Sequence, residues 1–280
     1  MNNNKYSKGN PERIKLEQLD TITLSDYGFT ASAVKGEMFG MEVVDPQTGE
    51  PLDEAFYKSK IEKAISLAEQ KFDIAIFPRL LEENHDYNSQ DFNSYMYIHT
   101  FKRPVIQVED ISVEIHRGRE KKFPSNTWKV YPLAGHVEIL SSPLRRLGHG
   151  SMMYDPIRQY HNPYAYPETF APQLIQLEYV TGLLPRSHAG YNKDWEMPAS
   201  LEEYILKSVV KQVFQVYGRM IVPVGTQGYS LSMDGIVESV SSSQTSTNTA
   251  VAGEIKQLNA DLSELEDAIK SYFGEGFITV

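Results

Sequence analysis

Apolar and polar residues alternate strictly in several stretches near the middle of this 280-residue chain. Ile111, Val113 and Ile115 are separated by Ser112 and Glu114. Successive side chains of a β-strand point to opposite faces, so this period predicts strands with one buried and one solvated face. Similar alternation, or a run of aromatic and β-branched residues, occurs at 95–101, 128–131, 137–139 and 175–179. The sequence therefore predicts an antiparallel β region.

A helical period precedes this region. Asp53 is suited to the N-cap position, and the apolar residues that follow fall on one helix face. These residues are Ile61, Ile65, Ala68 and Phe72. We expect the helix to end before Pro78, because a proline disfavours helical geometry in the residue before it. A polar loop is predicted around residues 84–94.

A second helix is predicted after Pro198. The sequence SLEE at 200–203 matches a capping box, in which the Ser200 hydroxyl accepts the Glu203 amide while the Glu203 side chain reaches back. The apolar stripe behind it is wide enough to suit a helix buried on more than one side. It comprises Ile205, Val209, Val213, Phe214 and Val216. Gly218 is the expected end of this helix.

The last quarter of the chain carries a third helical pattern. Tyr229, Leu231 and Met233 alternate with polar residues and precede an Asp-Gly turn signal, and a polar segment follows at 239–249. Apolar residues then recur at heptad-like intervals, a set we call the C-terminal seam: Val251, Ile255, Leu258, Leu262, Leu265, Ile269 and Phe273. Closed by Gly274, the seam predicts a helix on the order of 35 Å long.

These patterns together predict an α+β fold. We expect amphipathic helices that form a small bundle, an inserted antiparallel β region and a long C-terminal helix. Residues 1–52 are polar, with prolines and glycines that interrupt any long period, and are predicted to form an extended N-terminal arm. Residues 53–218 are the expected core, and 219–280 a C-terminal extension with a strand-like segment and a long helix. A Pro- and Tyr-rich loop at 148–172 is long enough to suggest a binding role.

The charge balance restricts the partners of the chain. With 27 basic and 37 acidic residues, the net charge is −10, which disfavours wrapping DNA or gripping an anionic membrane. It suits a surface past which DNA slides without sticking. No cysteine is present, which fits folding in a reducing cytoplasm. The apolar stretch at 201–222 carries five charged residues, so no membrane span is expected there.

Catalytic motifs are not evident in the sequence. No glycine-rich phosphate loop occurs. His136, Val137 and Glu138 match half of a zinc deaminase motif, but the other half requires cysteines, so a strand histidine is expected. His149 and His161 lack further residues at metal-ligand spacing. Adjacent carboxylates such as Glu82 and Glu83 would face opposite sides of a strand. We therefore predict a non-enzymatic protein with no cofactor and no metal.

The order of the elements resembles that of a known family. A helix at 59–77 precedes RPVIQV at 103–108, which opens the strands, and LEYVTG at 177–182 leads through a loop into the helix at 200–218. A strand that ends in a Tyr-x-x-Gly turn before a Pro-led apolar helix is similar to phage head–tail connector proteins. The segment 228–235, followed by a Ser-rich stretch and a long helix, also resembles the C-terminal region of large-phage virion proteins.

The resemblance implies a structural virion protein, an adaptor ring between the portal and the tail. It implies a homo-oligomeric, commonly twelvefold ring that contacts the portal protein and neighbouring neck or tail proteins. DNA would pass through its channel without sequence-specific binding. It also implies location in the virion neck after synthesis in the host cytoplasm, with no membrane association.

Alternatives remain open at this point. The chain could be another virion component, such as a baseplate, tail-terminator or capsid-associated protein, or an enzyme or carbohydrate-binding module with an unrecognised site. The C-terminal seam could pack within its own chain or dock on a neighbouring subunit. The hypothesised subunit or ring contacts are Tyr164, Tyr166, Leu258, Leu262, Leu265 and Ile269.

Overall fold

The computed structural model describes residues 14–19, 21–38, 43–44, 49–88, 97–116, 119–139, 170–221, 229–233, 236–240 and 246–274. The chain divides into two compact units. The first, which we call the β unit, comprises Met1–Ile22 and Lys71–Met197. The second, the helical unit, comprises Thr23–Gln70 and Pro198–Val280. The predicted α+β class is confirmed, including the long C-terminal helix.

The described part of the β unit contains a short helix and two antiparallel sheets. The four-stranded sheet has the order β1–β7–β3–β4, and the three-stranded sheet has the order β2–β6–β5. The bounds are α1 (Leu16–Leu19), β1 (Arg79–Asn88), β2 (Tyr97–His99), β3 (Val105–His116), β4 (Arg119–Lys122), β5 (Trp128–Tyr131), β6 (His136–Ile139) and β7 (Phe170–Thr181). The predicted alternating segments are therefore strands.

Two apolar clusters lie on opposite faces of the four-stranded sheet. Tyr179 belongs to a cluster that also holds Ile98 and Val137 of the three-stranded sheet, so the two sheets share this core. Val180, the next residue of β7, belongs to a second cluster. Its other buried members are Ile14, Leu19, Ile106, Leu184 and Trp195. Since successive strand residues point to opposite faces, β7 contributes to both clusters.

Strand β1 corrects the predicted polar loop around 84–94 over residues 84–88, and residues 89–94 lie outside the described residues. Its backbone pairs with β7 from Arg79↔Thr181 to Asn88↔Phe170, so it forms an edge of the four-stranded sheet. Glu83 and Tyr87 are its buried residues, while Glu82 and Asn84 are exposed. A strand with few apolar side chains still forms here because main-chain hydrogen bonds to β7 stabilise it.

The helical unit contains the three predicted helices and one short helix that the sequence did not predict. The short helix is α2 (Ala31–Glu37), and the predicted ones are α3 (Glu54–Lys71), α4 (Ala199–Ile221) and α5 (Ser246–Tyr272). Helix α4 packs against both α2 and α5, which explains its broad buried surface. It begins at Ala199, so Ser200 lies inside the first turn rather than at the predicted N-cap. Helix α3 ends at Lys71, six residues earlier than the predicted 77.

Strands β8 (Tyr229–Met233) and β9 (Ile236–Val240) form the small third sheet. They pair in antiparallel register from Tyr229↔Val240 to Met233↔Ile236, with two residues between them. The alternating segment at 229–233 is therefore one strand of an antiparallel pair, and the predicted turn at 234–235 lies outside the described residues. Helix α5 then begins at Ser246, inside the segment predicted as a polar linker, because nothing at 246–249 prevents helix propagation.

The described residues of the predicted arm are folded rather than extended. A 3₁₀ helix at Leu24–Tyr27 is capped by Thr23, whose N–H and hydroxyl both donate to the Asp26 carboxylate, at 2.7 and 2.8 Å. These hydrogen bonds lower the pKa of Asp26. Apolar residues of the segment are buried: Ile14, Leu19, Tyr27, Phe29, Val34, Met38 and Val43. The two units accordingly cut across the predicted segments 1–52, 53–218 and 219–280.

No helix among the described residues combines the length and apolar character that crossing a membrane requires.

We predict that the C-terminal seam stabilises its own chain. Ile269 is fully buried on α5, and Ile269→Ala should lower the free energy of unfolding by about 2–5 kcal/mol because it leaves a cavity. Exposed Lys256 on the same helix is the matched control, and Lys256→Ala should stay within about 0.5 kcal/mol. Urea unfolding followed by far-UV circular dichroism measures both. Equal midpoints for Ile269→Ala and the wild type would contradict intrachain packing.

Candidate functional site

The Tyr-x-x-Gly turn at 179–182 is a tightly packed joint at the end of β7. Gly182 has φ of 137°, a backbone conformation that side chains other than glycine rarely adopt. A Cβ added there would come within 2.5 Å of Pro78 Cα. The Gly182 N–H donates to the Pro104 carbonyl at 3.0 Å, and the Thr181 hydroxyl donates to the same carbonyl at 2.9 Å. Glycine is therefore required by close backbone approach, not by a ligand.

A buried carboxylate is hydrogen-bonded to Tyr179, the first residue of the same turn. Glu83, on β1, is 6% exposed and accepts hydrogen bonds from several donors. The Phe101 N–H donates to both of its oxygens, at 3.1 and 3.0 Å, and His85 Nε2 lies 3.0 Å from Oε2. The Tyr179 hydroxyl donates to Oε1. The carboxylate thus links β1, β7 and the loop after β2.

Tyr179 completes this cluster. Its hydroxyl accepts the Lys102 N–H at 3.1 Å while it donates to Glu83. Burial, followed by the hydrogen bond to Glu83, raises the pKa of Tyr179 far above its usual range, so the phenol stays protonated. Because the donors and acceptors of this cluster satisfy one another, it is suited to holding residues 100–104 in place rather than to catalysis.

The histidine predicted to be a strand residue lies in the three-stranded sheet. His136 on β6 is directly opposite His99 on β2, with ring centroids 4.2 Å apart and the rings nearly perpendicular. Burial, then the neighbouring His99 and Arg103, lower the pKa of His136. Glu138 accepts the Tyr131 hydroxyl at 2.9 Å. Within the described ranges, no group of three or more His, Asp or Glu side chains could hold a metal ion.

The seam residues lie on α5, which packs against α4. Leu258, Leu262 and Ile269 are buried, and Leu265 is half-buried. At the surface of this pair, Lys207 Nζ lies 2.8 Å from Asp261 and 2.9 Å from Glu203. A contact of the seam with another subunit stays a prediction. Tyr164, Tyr166, His149 and His161 lie outside the described residues.

A cavity of about 860 Å³ lies in the β unit, on the Val180 face of the four-stranded sheet. Its walls combine apolar and polar side chains, among them Ile14, Lys15, Ile106, Gln107, Ala189 and Trp195. The Gln107 side-chain amide makes two hydrogen bonds to the Ile14 backbone. Its Oε1 accepts from the Ile14 N–H at 3.0 Å, and its Nε2 donates to the Ile14 carbonyl at 3.2 Å. No sequence motif marks this cavity, because its residues come from three separate segments.

Glu83→Gln should destabilise the β unit by about 1–3 kcal/mol. The new side-chain NH₂ group is a donor, and it would face donor groups that now bond to the carboxylate oxygens. Glu82→Gln is the control on the same strand, since Glu82 is exposed on the other face. Thermal unfolding of the two variants measures the difference. Equal losses of stability would show that the buried hydrogen bonds do not hold this joint.

Protonation of His136 should oppose folding. Its pKa in the folded chain lies below the ordinary value of 6.5, so stability is fully present above pH 6.5 and falls as the pH drops through the folded pKa. His99→Gln removes one cause of the shift and should move the titration midpoint of His136 upward. Nuclear magnetic resonance of the imidazole against pH measures both, and a wild-type midpoint at or above 6.5 would contradict the prediction.

No protein-family model matches the sequence, and a comparison with curated proteins finds no match. Among solved structures, the chain is similar to one from the neck of an empty gene transfer agent particle computed with C6 symmetry, at 12% identity and a TM-score of 0.40. That alignment covers 76% of this chain and 87% of the other.

Two further similar chains come from a native gene transfer agent. One belongs to its neck computed with C12 symmetry, at 13% identity and a TM-score of 0.39, and the other to its virion, at 11% and 0.38. Each alignment covers 85% of this chain and 92% of the other.

Proposed function

We propose that the chain is a non-enzymatic structural protein of a tailed-phage virion, a ring-forming adaptor between the portal and the tail. The observation that carries the proposal is the Tyr179–Gly182 joint. The residues on which the connector resemblance rests form a buried structural joint at the end of β7, and in the sequence they precede the helix that follows Pro198. The hydrogen bonds and close packing of these residues hold the backbone in place, which is the role expected of residues in a structural component.

Charge supports the same proposal. A net charge of −10 opposes tight binding of DNA, and Glu254, Glu264 and Asp267 are exposed on α5. A ring component with such a surface lets DNA pass without sequence-specific contacts. Its partners would be further copies of itself in a ring of commonly twelve subunits, the portal protein and neighbouring neck or tail proteins. The protein would be made in the host cytoplasm and reside in the virion neck.

The alternative within the same class is another virion component, such as a baseplate, tail-terminator or capsid-associated protein. Copy number separates the two, because a neck adaptor is present at the multiplicity of the portal ring. Quantitative mass spectrometry of purified virions, with the portal protein as internal reference, measures this ratio.

Class-averaged electron micrographs of the purified chain, alone and mixed with portal rings, test the adaptor role. We expect closed rings with a central channel, because head-to-tail contacts close when the rotation between subunits permits. Rings that form or become more numerous with the portal support the adaptor role. A chain that stays monomeric at every concentration, with the portal present, would contradict it.

A further inference from the structure

The four-stranded sheet of the β unit has two edges. In its order β1–β7–β3–β4, the strands β1 and β4 each have one neighbouring strand among the described residues. The main-chain N–H and C=O groups along the outer side of an edge strand can pair with a further strand. From Leu80 to Asp86 the backbone of β1 pairs with β7, and no other backbone hydrogen bond of this stretch occurs within the described ranges. Each edge is therefore a place where another strand can join the sheet.

The strand directions allow copies of this sheet to be joined in series. Each strand is antiparallel to the next in the order β1–β7–β3–β4, so the two edge strands run in opposite directions. When a second copy keeps the orientation of the first, its β4 lies antiparallel beside the β1 of the first. A sheet with an odd number of strands would instead bring two parallel edges together. The resulting contact is heterologous, the type that generates rings.

The two edges carry opposite charge. The sequence of β1, RLLEENHDYN, has one arginine and three acidic residues, of which Glu83 is buried while Glu82 and Asp86 are exposed. The sequence of β4, REKK, has three basic residues and one acidic residue. Lys122 of β4 pairs with Asp110 of its own sheet and keeps 67% of its side chain exposed. Pairing β1 with β1, or β4 with β4, would place like charges opposite each other, which destabilises a strand pair. Charge therefore favours β4 against β1.

We propose that β4 of one copy pairs with β1 of the next, so that the four-stranded sheets of neighbouring subunits join into one continuous antiparallel sheet. The inference rests on the proposed ring function and specifies a contact between its subunits. A second copy is the partner because one chain supplies two edges that match in strand direction and in charge. Main-chain hydrogen bonds give such a contact its affinity, and the side chains determine which edges meet.

The register across the sheet shows which residues would meet. One row of directly opposite residues crosses all four strands, and its members share a face of the sheet: Asn84, Gln176, Ser112 and Lys122. Because alternate residues of a strand share a face, the residues of β1 on this face are Leu80, Glu82, Asn84 and Asp86. In the joined sheet, Lys122 of one copy would lie beside one of these four residues of the next.

Engineered cysteines test this contact, because the natural chain has none. Lys122→Cys is combined in turn with a cysteine at each of the four positions of β1. Within one chain the two edges are three strand spacings apart, about 14 Å, whereas a disulfide requires Cα atoms within about 7 Å. A disulfide between the edges must therefore join two copies. After mild oxidation, with and without portal rings, we expect at least one pair to give a ladder of covalent oligomers up to a fixed size on non-reducing gels.

Two kinds of variant are the matched controls. A single cysteine on β1 or β4 links at most two chains, so it cannot produce a ladder. Lys122→Cys combined with Lys256→Cys, at an exposed position on α5, measures random collision and should give only background cross-linking. Unfolding midpoints under reducing conditions, close to that of the wild type, verify that every variant folds.

The outcomes separate the contact from the ring. Wild-type rings in electron micrographs, without a ladder from any of the four pairs, would overturn the edge contact while the ring function stands. Dimers from a β1 cysteine alone, with no ladder from the pairs, would also overturn it and indicate pairing of β1 with β1. Absence of wild-type rings, with or without the portal, would instead overturn the proposed function.

Discussion

The β unit depends on the two-residue period of strand β7. This strand pairs with β1 on one side and β3 on the other, so it is an interior strand of the four-stranded sheet. Tyr179 and Val180 are adjacent in sequence but belong to different apolar clusters. A shift of one residue in register would exchange the faces and place each set of side chains in the wrong cluster. The alternation therefore determines which residues of β7 join the core shared by the two sheets and which join the cluster with Trp195.

The buried Glu83 carboxylate holds the loop after β2, whose position the alternation along β7 does not determine. Loops seldom hold a backbone in one position without hydrogen bonds, and this loop follows a strand of only three residues. The carboxylate accepts the Phe101 N–H, and the Tyr179 hydroxyl accepts the Lys102 N–H. A buried charge is costly unless it is fully hydrogen-bonded, and Glu83 meets that condition through Tyr179, His85 and the backbone. The joint thus links core packing to the presentation of an exposed aromatic residue.

The sequence predicted the elements whose apolar residues have a clear period. The strands around Ile111 and Leu177 and the long C-terminal helix follow directly from spacing, because each buries one face. Strand β1 was not predicted, because its residues are mostly polar. Its pairing with β7 consists of main-chain hydrogen bonds between residues that are far apart in the sequence. Helix α2 was missed because seven residues provide too short a period to recognise.

The site was less predictable than the fold. The opposite orientation of Glu82 and Glu83 followed from strand geometry, but the partner of Glu83 lies 96 residues away in sequence. The cavity also combines residues distant in sequence, Ile14, Ile106 and Trp195, which no local pattern connects. The motif of Tyr179 and Gly182 was recognised in the sequence. The requirement for glycine comes from the close approach of the Pro78 backbone, which only the three-dimensional structure shows.

We propose that this chain builds a closed ring from identical subunits. Native mass spectrometry of the purified protein, alone and mixed with the portal protein, detects such an assembly, since the chain has a mass of 31.8 kDa and no cysteine that could create artefactual oligomers. We expect one discrete assembly that contains a fixed integral number of copies of the chain, twelve for a twelvefold ring. A monomer at every concentration, even with the portal protein present, or an open-ended series of oligomers with no preferred size, would contradict it.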